Sequence, residues 1–105
     1  MSEVQRCAAV DAVPIPPDVL IARQIQWDVL VDAYLTQAAK VGDRYAASVF
    51  LDRAGVIADG TTIATPQVTT VDEKEGFILL RSVCGNDHYV IANWLASQEH
   101  LNACS

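Results

Sequence analysis

The chain is short of positive charge. It carries 7 Lys and Arg against 13 Asp and Glu in 105 residues, a formal net charge of −6. No two of the basic residues are adjacent. A protein that binds nucleic acid directly needs a basic footprint to displace counterions from phosphate, and none is present. Cysteine is equally sparse. Cys7, Cys84 and Cys104 form an odd, widely spaced set, unlike the even, dense pattern of a secreted disulfide framework. Reduced thiols in the cytoplasm are therefore expected. Residues 1–17 lack the basic-then-apolar order of a secretion signal, and no apolar run approaches the ~18 residues of a membrane span. No glycine cluster has the spacing of a phosphate-binding or dinucleotide-binding loop. These absences leave no direct nucleic-acid binding, no membrane partner and no nucleotide cofactor among the expectations.

Hydrophobic residues make up 51% of the chain, enough for one packed domain and too many for disorder. A core of this size cannot also enclose a large substrate cavity. Apolar side chains are left for the surface, which predicts a homodimer or a partner protein. The dispersed acidic surface favours solubility and would complement a basic partner protein.

The hydrophobic period changes near Asp59-Gly60. Before it, Trp27, Leu30, Val31, Tyr34, Leu35 and Ala38 recur at i, i+3, i+4, i+7, i+8 and i+11, which predicts a helix. Residues 1–17, with Pro14, Pro16 and Pro17, read as an irregular arm preceding a single domain over 18–105. Pro17-Asp18 is a helix-start signal. Val19, Ile21, Ile25 and Trp27 also alternate, so a strand over 19–25 competes with a helix there. Gly42 is placed to end the first helix as a C′ residue, with Asp43 as the cap of a second over 44–53. Ser48 to Leu51 could equally be the first strand.

Beyond Asp59-Gly60 the blocks are short and strand-like. Strands are expected at 61–65 and 67–71, interrupted at Pro66. Asp72 to Gly76 is expected as a polar turn. Phe77 to Leu80, apolar on both faces, is expected as a central covered strand. His88 to Asn93 is expected as the last strand, closed by Trp94 and Leu95. The fold class is α+β: one or two N-terminal helices packed on an antiparallel sheet of about four strands.

No catalytic constellation is complete. Phe50 to Ile57 resembles the nucleophile motif of haloacid dehalogenase-type phosphatases at Asp52, but Ala54 stands where that family has its general acid. Cys84, Asp87 and His88 contain the groups of a thiol nucleophile and its base, yet they are sequence neighbours without an orienting element. Cys84, His88, His100 and Cys104 could supply two thiolates and two imidazoles, at a spacing that matches no familiar zinc module. No catalytic residue, metal site or cofactor is assigned. The residues expected to meet a partner or ligand are the aromatics Trp27, Tyr34, Tyr89 and Trp94 and the acidic Asp72, Glu73 and Glu75.

Gly60 to Val68, Gly76-Phe77 and Tyr89 to Ile91 together resemble small phage and mobile-element proteins of unknown function, including integron gene-cassette products. The resemblance covers about a third of the chain and carries no catalytic residue. It implies a compact α+β accessory protein that acts by binding. The expected function is thus a non-enzymatic interaction protein, of an inhibitor or immunity type. The alternative is a small-molecule binder with a pocket between helix and sheet or at a dimer interface.

Overall fold

The computed structural model describes residues 14–95. Most of the expected arm, together with His100 and Cys104, lies outside the described residues.

One short helix, α1 (Pro17–Arg23), precedes six strands. Pro17 opens it with a preset φ, Asp18 lies in its first turn and Arg23 in its last, so both charges oppose the helix dipole. The start signal at Pro17-Asp18 is thus used, and the competing strand over 19–25 does not form.

The strands are β1 (Ala33–Val41), β2 (Arg44–Phe50), β3 (Thr61–Ala64), β4 (Val68–Lys74), β5 (Phe77–Ser82) and β6 (His88–Ile91). They form one sheet in the order β3-β2-β1-β6-β5-β4. The α+β class stands, but the sheet is larger than the expected four strands and is mixed. β1 and β6, the two middle strands, run parallel, with Tyr34 opposite Val90. The other pairs are antiparallel.

The expected helix across Trp27 to Ala38 is absent, and so is the second helix over 44–53. Over 44–50, Tyr45, Ala47 and Val49 are buried at strand period in β2, and in β1 the helical spacing comes from a β-bulge. Before it, Ala33 and Leu35 enter one core and Tyr34 packs on the other, at strand period. Gln37 then takes φ 53° and the β1–β2 register shifts between Thr36 and Ala39. The extra residue returns Ala38 to the face of Leu35. An apolar spacing of three, the mark of a helix turn, is here a bulged strand. Gly42 has the positive φ expected of a C′ glycine (63°), but it turns the β1–β2 hairpin instead.

The directions of the strands dictate the sheet's shape. β3 runs parallel to β1 through β2, and β4 runs parallel to β6 through β5. Since β1 and β6 are parallel, β3 and β4 point the same way. They are separated only by Thr65, Pro66 and Gln67, yet they occupy opposite ends of the sheet. One extended stretch therefore spans both ends, and the sheet must curl around it. The bend is fastened at Thr65, which is fully buried. Its N–H donates to the Tyr45 C=O at 2.8 Å, its hydroxyl accepts the Tyr45 N–H at 3.0 Å, and the same hydroxyl donates to the Pro66 C=O at 2.8 Å. The Val68 N–H then reaches the Asp43 C=O in the β1–β2 turn at 2.9 Å.

Curling gives the sheet two filled faces. Leu35, Val49, Leu80, Ile91 and Val68 pack inside the curl, with Ile57 and Ile63 at its margin. On the other face α1 and the following loop bring Val19, Ala22 and Trp27 onto Phe50, Leu79 and Val90. Adjacent Leu79 and Leu80 thus enter different cores, as the doubly apolar Phe77–Leu80 block requires.

Candidate interaction surface

The middle seam of the sheet is held at each end by a polar side chain. At one end the Asp32 carboxylate accepts from the His88 N–H at 2.8 Å and from Arg53 at 2.9 and 3.2 Å, while the Asp32 N–H donates to the His88 C=O at 2.8 Å. At the other end Asn93 occupies the bulge. Its Oδ1 accepts the Gln37 N–H at 2.7 Å, and its amide nitrogen donates to Asp18 of α1 at 3.0 Å. One side chain thereby satisfies the donor that the bulge frees and ties the helix to the sheet.

Asp52 has a comparable local task. Its Oδ2 accepts the N–H groups of Val56 and Ile57 at 2.8 and 2.9 Å. The Ile57 bond above all holds its carboxyl below the ordinary value. Through Oδ2, Asp52 caps the loop that follows it. Cys84 is exposed in the β5–β6 turn. Its thiol is drawn below its usual value first by the Ser82 hydroxyl, whose Oγ lies 3.2 Å from Sγ, and then by the Asn86 backbone. Among the described residues no hydrogen bond joins Cys84 to Asp87 or His88. No group of three or more His, Cys, Asp or Glu among the described residues is arranged to hold a metal.

Tyr89 is half-buried on β6. Burial, followed by the charges of Asp87, Asp32 and Asp52, pushes its phenol up to about 12. Tyr34, on the opposite face of the sheet, is raised by burial, with Arg23 opposing. Trp27 is core: its Nε1 donates to the Ala22 C=O at 3.1 Å. Of the four aromatics expected at a contact surface, only Trp94 is largely open, at 44% exposure, with its ring 5.8 Å from that of Tyr45.

Asp72 and Glu73 lie on β4 rather than in a turn; the turn itself is Glu75-Gly76 alone, both residues at positive φ. All three acidic residues are exposed. Lys74, the one base among them, is drawn away. Its Nζ donates to the Gln26 C=O at 2.7 Å, sits 5.6 Å from the centre of the Trp27 ring and 3.8 Å from Asp28.

The surface depressions are open. One of about 410 Å³ lies over Gln26 to Leu30. Another of about 320 Å³ lies between Arg44, Pro66-Gln67 and Ser82 to Cys84. Between α1 and the sheet, Val19, Ala22 and Trp27 pack against Phe50, Leu79 and Val90. No helix among the described residues is long and apolar enough to cross a membrane. Comparison with protein-family models, with characterised proteins and with solved structures found no match.

Surface position was the signal that sequence reasoning lacked. It assigned the acidic residues to a turn and Trp27 to a contact, and it passed over Asp32 and Asn93. Both of these fix the parallel seam, a long-range pairing that local patterns do not encode.

Proposed function

We propose that the chain acts by binding a basic partner protein, as a non-enzymatic accessory protein of the mobile-element kind that its sequence resembles. The observation that carries this reading is the uncompensated acidic margin of β4. Asp72 and Glu73 stand on an edge strand with Glu75 at its turn, while the neighbouring Lys74 is held over Trp27. An exposed group of one sign steers a partner of the opposite sign and raises the rate of encounter. Blocking a basic site on a nucleic-acid-handling protein, or neutralising a toxin, are two forms of the same chemistry. The filled cores and the occupied carboxylate of Asp52 favour binding over turnover.

The test uses a partner recovered from the native host with wild-type protein. Lys at positions 72, 73 and 75 should lower the on-rate about 10-fold or more at low salt and flatten its salt dependence. The fold should change little, since exposed substitutions are usually mild. An unchanged on-rate would remove β4 as the docking margin. A substrate turnover abolished by Asp52→Asn or His88→Ala would overturn the binding reading as a whole.

A further inference from the structure

Among the described residues the sheet has two unpaired edges, β3 and β4, and they are guarded very differently. β4 has the usual protections of an edge strand. A bulge interrupts its register between Thr70 and Asp72, charges follow at 72 to 75, and the Val68 N–H is taken by Asp43. β3 has none of these. Its register with β2 is unbroken from Ala46–Ala64 to Val49–Thr61. Its four residues, Thr61-Thr62-Ile63-Ala64, contain no charge and no proline, and Thr61, Thr62 and Ala64 are exposed.

The phase of the β2–β3 ladder shows which backbone groups are free. The Thr65 N–H bonds to Tyr45, so the alternation of an antiparallel pair sends the Thr62 and Ala64 groups away from β2. Among the described residues nothing bonds to them.

We infer that β3 pairs with β3 of a second copy of this chain, antiparallel about a two-fold axis at Ile63. In that register the N–H of Thr62 meets the C=O of Ala64 on the other copy, and the N–H of Ala64 meets the C=O of Thr62. Ile63 stands opposite its own counterpart, in the closer, non-hydrogen-bonded position that favours apolar contact. Each residue finds its complement in the same strand, as an isologous contact requires.

Charge selects the occupant. Each copy carries −6, so like-charge repulsion opposes homotypic contact over most of the surface. Gly60 to Val71 contains no Asp, Glu, Lys, Arg or His, and β3 lies within it. A second copy meets no like charge within this stretch, whereas a basic partner finds no carboxylate to pair with on it. A shallow hollow beside β3 is lined by Gln37, Ala39, Ala46, Ser48, Thr62 and Leu95. So short an edge buries less than the ~1,200 Å² of standard interfaces, which places the contact in the weak class.

Amide hydrogen exchange, followed residue by residue on the intact chain, tests the inference. Between about 10 μM and about 1 mM protein, mass action should slow exchange at Thr62 and Ala64 several-fold while leaving the outer strand β4 unchanged. Thr62→Pro removes an outward N–H without touching the β2 ladder, and Ile63→Lys places like charges opposite each other. Either should abolish the concentration dependence and leave a monomer by light scattering at about 1 mM, with the wild-type circular dichroism retained. Concentration-independent exchange at both amides in the wild type would overturn the inference. So would protection that appears only when a different protein is added. Neither result bears on the acidic margin of β4, which the charge-reversal experiment reads separately.

Discussion

Leu79 and Leu80 offer the sharpest test of a sheet covered on both faces. They are adjacent on β5, with Leu79 in the helix-side core and Leu80, fully buried, inside the curl. Truncation to Ala removes three carbons from either, worth about 2.4 kcal/mol at ~0.8 kcal/mol per buried CH₂. A residual cavity of ~50 Å³ would add about 1.2 kcal/mol at ~24 cal/mol per Å³. Leu80→Ala should therefore cost about 3.5 kcal/mol. Leu79→Ala should cost nearly as much, about 3 kcal/mol, because the short helix relaxes more readily than the curled sheet. With a urea slope of ~1–3 kcal/mol/M, either midpoint should fall by about 1–3 M. Fluorescence of the buried Trp27 reports the transition. Thr69→Ala, exposed on β4, serves as the control and should lie within ~0.5 kcal/mol of wild type. If one leucine costs the full amount and the other less than ~1 kcal/mol, one face of the sheet is bare and the two-core description fails. If both are small, β5 is not a core strand.

Three other outcomes follow from the polar groups. Burial raises the Tyr89 phenol to about 12; above pH ~10 the unfolded chain releases this proton while the folded chain keeps it, so stability should fall with pH from ~10 to ~12, and Tyr89→Phe should flatten that limb in urea titrations. Asp52 is lowered by its loop N–H bonds; its contribution is complete above the unfolded carboxylate range near pH ~4 and fades as pH falls through the lower folded value, so Asp52→Asn should reduce the loss of stability on acidification. Asn93→Ala strips the bulge of its acceptor at an exposed site and should cost about 0.5–1.5 kcal/mol, with faster exchange at the Gln37 amide; an unchanged Gln37 amide would mean that another group satisfies the bulge.

The C-terminal half was legible because its signals are local. Gly60 takes the positive φ that Asp59-Gly60 announces (89°), Pro66 divides one extended stretch into β3 and β4, and Phe77 to Leu80 feeds two cores. The N-terminal half was misread because one residue count was out of phase. Leu35 and Ala38 share a core three positions apart, which a straight strand cannot do and a helix does. Only the Gln37 bulge makes it possible, and its stabilising partner, Asn93, lies 56 residues away. Gly42 was correctly seen as a residue needing positive φ, but a helix C′ position and a tight hairpin share that need. Of the expected contact residues, the acidic set lay on the surface as required, though on a strand. Trp27 was misassigned because an indole at the end of an apolar pattern looks the same whether it faces a partner or caps a core.

The parallel β1–β6 seam also explains why both free edges come from one continuous stretch. Each half of the chain makes its own meander, β1-β2-β3 and β4-β5-β6, and the seam joins them through their first and last strands. The last strand of the first meander and the first of the second are then left at opposite ends of the sheet, although only three residues separate them. The sequence of that stretch changes character along its length. It is uncharged through Val71 and then becomes Asp72-Glu73-Lys74-Glu75. The change falls at the bulge that shifts the β4–β5 register, and the three residues that pair with β5 after it are Asp72, Glu73 and Lys74. A neutral, regular edge permits backbone pairing with a like chain, and a charged, bulged edge discourages it. Moving the charges should therefore move the contact. Neutralising Asp72, Glu73 and Glu75 to Asn, Gln and Gln should leave the β3 amides responding to concentration as before and make β4 amides begin to respond. If β4 stays indifferent, the bulge protects that edge without the carboxylates.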